Sequence, residues 1–555
     1  MITLLMKNDK LDRIDSCTCT FDSRASKDRK VEILDTTLRD GRQNIRATIS
    51  EPDMMVLVKM LDDLGVQVIE LGFPSRYSKD MKAFKDVRNL RLKNSKISAF
   101  GMTRRKGISV EKDPNLACLL ETQAEVVTLF GKVDPLHVTA ELGAKPRENL
   151  DMIYDSINYL KRKSHIKQVI FDAEHFFKGF RRDSDYSMEC LRMAETAGAY
   201  TLVLCDTDGG TMTTPLRETV AYVVKKFKRS DVAVGIHTHN DCGLAVANTL
   251  AAVEVGATHV QGTINGVGER TGNADLMEVI PNLEMKMGYA TVKSMDLTKL
   301  KSISDAANAL LHLPARKDRP YVGDDATATK AGTHSKHPEM YLHFRPEDTG
   351  NVMKLYGSEV SGRHNFIAKA KQFGIDLSME EAGIVMGNVK RKSKMGYQFE
   401  KADANLYIMM LECKNDWVDP FNVTSCEVAS AWEGKERPVS YGLVAMNLGA
   451  NTEASVEFGK GPVNSFDKAL RRCLRKTHPE ISDMELTDFY VDVVDISKGT
   501  KSRVRANARI SINGSPWSSQ GLSYNILKAS GEALVTGYKA CLEYLRRGKT
   551  DSEPR

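Results

Sequence analysis

No run among the 555 residues approaches the length of a membrane span, so no bilayer-crossing helix is expected. A dominant charge sign is missing too: 79 lysines and arginines face 73 aspartates and glutamates, leaving a net charge of +6. The Lys/Arg-rich tracts at 161–167 and 225–229 end helical stretches, where solvated cations are ordinary, and no basic stripe is studded with aromatics. A nucleic-acid partner therefore has no footprint. The ten cysteines lack even spacing and lie mostly in apolar or helical contexts, which suits reduced thiols rather than a disulfide framework. The first thirty residues carry a very short apolar start and then several aspartates, unlike a secretory signal or an acid-poor transit peptide. They read as an arm (1–30), and the protein as cytoplasmic. A Gly-rich phosphate loop is also lacking after the first strand, where Arg39-Asp40-Gly41-Arg42-Gln43 stands instead, which argues against an open doubly wound sheet.

From residue 31 to 290, short β-branched runs alternate with amphipathic helical stretches. Strands are expected at 31–34, 66–71, 97–100, 126–130, 169–174, 202–206, 232–239 and 259–264, with helical chain between each pair. Strict alternation of eight strands with helices predicts an α/β fold, the closed (β/α)8 TIM barrel, whose chemistry gathers at the C-terminal strand ends. Polar residues cluster there: Arg39 and Asp40, Glu70, Thr128, Asp172 and Glu174, Asp206 and Thr207, His237 and His239, and 269–273.

After the barrel the periodicity changes. A mostly helical linking region (291–425) has helical stretches near 296–312 and 379–394 and a Gly- and His-containing loop at 332–338. Residues 426–548 read as an α+β domain built from a βββα-like unit used twice, with helices at 462–477 and 524–546 and a short strand before Leu522. Two such units leave a small-ligand crevice between halves, and their helices have enough apolar residues to pack across a two-fold axis. Residues 549–555 form a tail.

Residues two apart on a strand share a face, so His237 and His239 converge. With the Asp40 carboxylate, and Asn273 as a carbonyl donor, they make a mixed O/N set for Mg²⁺, Mn²⁺ or Zn²⁺, with positions left for a chelating 2-oxo acid. A bound cation polarises the ketone, and Arg39 adds positive charge where an oxyanion develops. Glu174, two residues after Asp172, serves either as a general acid–base with a pKa shifted by its neighbour or as an acid that orients a metal-bound histidine. Phe100, Thr128, Phe130 and Asp172 are candidates to line the oxo-acid pocket.

Several motifs carry a resemblance. They are Asp35-Thr36-Thr37-Leu38-Arg39-Asp40-Gly41-Arg42-Gln43, His237-Thr238-His239-Asn240-Asp241 and the 262–273 stretch ending Gly268-Glu269-Arg270-Thr271-Gly272-Asn273. Phe171-Asp172-Ala173-Glu174, Leu204-Cys205-Asp206-Thr207, Ser361-Gly362-Arg363-His364-Asn365 and Gly461-Pro462-Val463-Asn464 add to them. Together they resemble the 2-isopropylmalate/homocitrate/citramalate synthase family, over 31–546, and most of all its citramalate-forming branch.

The resemblance implies metal-dependent condensation of acetyl-CoA, as co-substrate, with a 2-oxo acid, followed by thioester hydrolysis. In that branch the oxo acid is pyruvate, the product is (R)-citramalate and the route leads to isoleucine. By motif position Asp40, His237, His239 and Asn273 are the metal set. Arg39, Asp40, Gln43, Thr207 and Tyr341 bind substrate, and Arg39, Glu174 and His334 are catalytic. Relatives carry a second histidine five residues before the catalytic one, where this chain has Thr329. The resemblance further implies an inhibitory amino acid on the C-terminal domain, and the apolar residues of the helices at 466–476 and 526–545 lead to the expectation of a homodimer. The alternatives are a 2-isopropylmalate synthase acting on 2-oxoisovalerate, an aldolase-type lyase, and an inactive amino-acid-sensing relative.

Overall fold

Eight short strands, each followed by helical chain, close on themselves. They are β1 (Lys30–Asp35), β2 (Val68–Gly72), β3 (Lys96–Met102), β4 (Val126–Lys132), β5 (Gln168–Glu174), β6 (Thr201–Asp206), β7 (Ala233–Thr238) and β8 (His259–Gly262). All pair in parallel with their sequence neighbours, and β1 pairs with both β2 and β8, so the ring is the expected TIM barrel. The computed structural model describes residues 30–75, 79–228, 230–291, 295–329, 340–355, 361–431 and 439–548. Their packing divides them into two compact units. One comprises the described residues up to Thr327 with His343–Val352, and the other those of Ala328–Leu342 and from Met353 onward, so 291–425 contributes to both.

The first barrel helix shows how local sequence sets an element. In α1 (Glu51–Leu64), Ser50 caps the start by accepting from the Asp53 N–H, Pro52 occupies the first turn, and Gly65 ends it at φ +101°. Met54, Leu57, Val58, Leu61 and Leu64 form the buried stripe. Each such side chain contributes about 1.5–3 kcal/mol on burial.

Period-two alternation sends the other set of strand residues into the barrel. Leu34, Val68, Val126, Ile170, Val203 and Cys205 form an inner cluster, separate from the core between strands and helices. The interior is polar on either side of it. Toward the strand starts, His259 Nδ1 lies 2.9 Å from Glu32 Oε2. Toward the C-terminal ends come Glu70, Asp172, His237 and Gln261, all buried. An apolar plug thus separates the upper polar layer from the lower one.

Two strands stop earlier than expected. β7 ends at Thr238, because His239 leaves the parallel ladder to form an antiparallel bridge with Asn273; β8 ends at Gly262.

The second unit holds helices Arg363–Gln372, Met379–Lys394 and Asp403–Cys413, the second of them started by a Ser378–Glu381 capping box. Two three-stranded antiparallel sheets follow, Asn422–Ala431/Val439–Leu448/Asn451–Gly459 and Glu485–Val493/Val504–Ile512/Ser515–Ser523. Each is followed by a helix, Pro462–Leu474 and Ile526–Arg546. The strand expected to be short before Leu522 is nine residues long, kept in register with its neighbour from Val504↔Ser523 to Ile512↔Ser515. Trp517 lies 5.0–5.4 Å from the rings of Phe373, Tyr407 and Tyr544 and joins this sheet to the helices. No described helix is long and apolar enough to cross a membrane.

Candidate active site

The turn after β1 places the first ligand. The N–H groups of Arg39, Asp40 and Gly41 all point at the Thr36 carbonyl, and the Thr36 hydroxyl donates to Glu70 at 2.7 Å. Arg39 is held from three sides, by Glu70 (2.6 Å), by Asp40 (3.3 Å) and by the face of Phe100 (3.7 Å). Asp40 is thereby turned toward β7.

Asp40 Oδ2 lies 3.3 Å from His237 Nε2 and 3.8 Å from His239 Nε2, and the two imidazole nitrogens are 3.4 Å apart. The Asn273 amide donates to the same carboxylate oxygen at 2.9 Å. Four polar groups from three separate stretches converge on one point, and all are buried. The His239–Asn273 bridge brings in the last of them.

This set fits a divalent cation. Asp40 Oδ1 and Asn273 Oδ1 are buried acceptors without a hydrogen-bond partner, beside two imidazole nitrogens that face each other. An unpaired buried acceptor costs about 1–3 kcal/mol, a cost that a cation between these atoms removes. One carboxylate and two imidazoles leave the site open to Mg²⁺, Mn²⁺ or Zn²⁺.

Against the lowering effect of burial, the Asp40 carboxylate raises His237 above the usual imidazole value. Burial would raise the Asp40 carboxyl, but Arg39 and His237 overcome it and hold the group far below the carboxylate range. Burial and the neighbouring His237 push His239 down to about 4, so at neutral pH it is an uncharged imidazole with one ring nitrogen free to donate a lone pair.

These groups open into a cavity of about 290 Å³ lined by Arg39, Asp40, Gln43, Phe73, Phe100, Phe130, Asp172, Glu174, Cys205, Thr207, His237, His239 and Glu269. Phe100 and Phe130 stack at 5.3 Å and form its apolar wall. Of the pocket candidates, Phe100, Phe130 and Asp172 line it, whereas Thr128 does not: its hydroxyl is paired with Ser98 at 2.9 Å. Thr207 lines the cavity, and its hydroxyl oxygen accepts the His175 N–H at 2.9 Å, which leaves its proton for another acceptor. His175 adopts φ +56° to make that contact.

The Asp172–Glu174 pair behaves differently from the sequence expectation. Burial, and then Glu70, push Asp172 up to about 6. Glu174 instead lies 2.8 Å from Lys132 Nζ, which also meets Glu141 at 2.6 Å. Lys132 was missed in the sequence, although it stands two residues after Phe130 on the inward face. Gln261 was missed as well; it is inward on β8 and in register with His237.

His334 lies outside the described residues, as do His337-Pro338-Glu339 and the side chain of Thr329. Tyr341 belongs to the second unit, where it is exposed.

Comparison with known proteins matches two separate stretches of the chain. Residues 30–307 match the HMGL-like family, and residues 400–542 match the LeuA allosteric (dimerisation) domain. The (R)-citramalate synthase of Aquifex aeolicus is 38% identical over 512 residues, covering 91% of this chain and 96% of its own. That of Synechocystis is 37% identical, covering 95% and 99%. The 2-isopropylmalate synthase of Oceanobacillus iheyensis is more distant, at 27% identity over 91% and 96%. With such relatives matched along nearly their full length at 37–38% identity, the chain belongs to the (R)-citramalate synthase family.

Proposed function

We propose that this chain condenses acetyl-CoA with pyruvate and hydrolyses the thioester so formed, giving (R)-citramalate and free CoA. The observation that carries the reading is the buried Asp40–His237–His239 set opening into a small cavity walled by Phe100 and Phe130. Asp40, His237, His239 and the Asn273 carbonyl would hold the cation. When bound, it supplies Lewis acidity toward the keto and carboxylate oxygens of the oxo acid.

The chain's own groups do the rest. Arg39, immobilised by Glu70 and Phe100, adds positive charge beside the keto oxygen. The Thr207 hydroxyl, already accepting from the His175 N–H, donates to the substrate carboxylate, and Gln43 also lines the cavity. Glu174 removes a proton from the acetyl methyl group together with His334, assigned from Gly332-Thr333-His334. Tyr341 is assigned a substrate contact by motif position. The methyl carbon then bonds to the keto carbon, the keto oxygen takes up a proton as the hydroxyl, and water cleaves the thioester to release the thiol.

The paired phenylalanines suit a methyl group better than an isopropyl group, with each extra methylene shifting discrimination by about 1–3 kcal/mol. The product would feed isoleucine synthesis in the cytoplasm. The C-terminal domain would bind a feedback amino acid and pair two copies. Its first sheet exposes the cross-strand pair Tyr441 and Phe458, with Val456 beside them, an apolar patch of the kind that interfaces cover.

The test is thiol release from acetyl-CoA with pyruvate and with 2-oxoisovalerate. Pyruvate-dependent release is expected. Preference for 2-oxoisovalerate would replace this reading with the 2-isopropylmalate one, cleavage of citramalate alone would indicate a lyase, and no release with any oxo acid would indicate a sensor.

A further inference from the structure

We propose that Gln261 is a positioning residue which, itself held by Asp172, fixes the tautomer and orientation of His237 so that the Nε2 lone pair faces the cation site. The inference rests on the metal reading above. His237 and Gln261 are register partners on β7 and β8 and both point into the barrel. Gln261 Oε1 lies 2.9 Å from His237 Nδ1, and Gln261 Nε2 donates to Asp172 Oδ1 at 2.9 Å. Asp172 belongs to β5, so the glutamine crosses the barrel interior to reach it.

The direction of the chain of hydrogen bonds follows from what each group can do. An amide can be turned either way, but an ionised carboxylate only accepts. Asp172 therefore claims the NH₂ end of Gln261. The end left for His237 is a carbonyl oxygen, which also only accepts, so His237 must carry its proton on Nδ1. A neutral imidazole protonated there has a bare Nε2, and Nε2 is the atom that faces Asp40 and His239. Gln261 has no exposed surface, so bulk water cannot stand in for either contact. His239 offers the contrast: its Nδ1 is buried without a hydrogen-bond partner, so nothing equivalent sets its tautomer. His237 is thus the pre-oriented ligand. Asp172 also lines the cavity, so one carboxylate both borders the substrate space and orients a metal ligand.

The test measures Mn²⁺ affinity of metal-free full-length protein by competition with a fluorescent chelator. Gln261→Met keeps the bulk and removes both hydrogen bonds; binding is expected to weaken about 10- to 100-fold, the usual effect of losing a ligand's outer partner. Asp172→Asn keeps the shape and the bonding capacity but frees the direction, since an amide both donates and accepts; severalfold weaker binding is expected. Ser98→Ala removes another interior hydrogen bond, to Thr128, and should leave affinity unchanged. Nitrogen-15 spectra of histidine-labelled wild type should show His237 protonated at Nδ1. Wild-type affinity in Gln261→Met, equal loss in Ser98→Ala, or a proton on Nε2 overturns the inference. If Gln261→Met does not fold, Asp172→Asn and the spectra decide it. Absence of Mn²⁺ binding by the wild type would sink the metal reading itself, and this inference with it.

Discussion

Asp40 concentrates the chemistry of the site in one carboxylate: Arg39, His237, His239 and Asn273 all reach the same oxygen. Asp40→Asn keeps the shape and removes the charge. It should abolish tight divalent-cation binding and lower kcat/KM by about 10²–10³-fold, measured by thiol release across a metal titration. Substrate choice is set by different residues. Phe130→Ala widens the apolar wall, so the ratio of kcat/KM for 2-oxobutanoate over pyruvate should rise by about 10- to 200-fold, in line with one methylene's worth of discrimination. An unchanged ratio would remove Phe130 from the pocket. Both residues could be picked out from the sequence, because strand ends and period-two alternation are sequence properties. Lys132 could not, because the sequence does not show which of several inward groups will meet Glu174.

Among the elements, the 266–273 loop does the most with the least side chain. Gly272 sits at φ +94°, and a Cβ there would fall 2.0 Å from the Gly266 carbonyl oxygen. Gly272→Ala should therefore displace Asn273 and weaken cation affinity, while the barrel's far-ultraviolet dichroism is retained. The next helix, Leu276–Pro281, carries a half-buried acid, Glu278, in its first turn. Burial, and then Asp275, raise Glu278 from 4.5 to about 7. A raised carboxyl costs stability only where it must ionise. The penalty is therefore absent below pH 4.5, grows as pH rises, and is complete above about 7. Glu278→Gln should match the wild type in acid and exceed it by about 1–3 kcal/mol at pH 8, read from urea unfolding at both pH values. Equal stability at both would mean that the group is solvated.

At the scale of the whole molecule, the expected self-association rests on the second unit. Phe458 is 64% exposed and opposite Tyr441 on a sheet face without a described covering. Phe458→Asp should convert a dimer to a monomer in light scattering; a wild type that is already monomeric would overturn the expectation.

Much of this architecture was legible in advance. Alternating β-branched and amphipathic segments dictated the eight strands, since hydrophobic period follows backbone geometry, and the expected ligand triad is close enough to share an ion. Long-range geometry was not legible. His239 leaves its strand to meet Asn273, Lys132 rather than Asp172 accompanies Glu174, and Gln261 spans the barrel to Asp172. Amino-acid order determines which way each side chain points along its own strand. Only closure of the barrel decides which of those inward groups come within hydrogen-bonding distance, because strand tilt and stagger bring together residues that no sequence spacing relates.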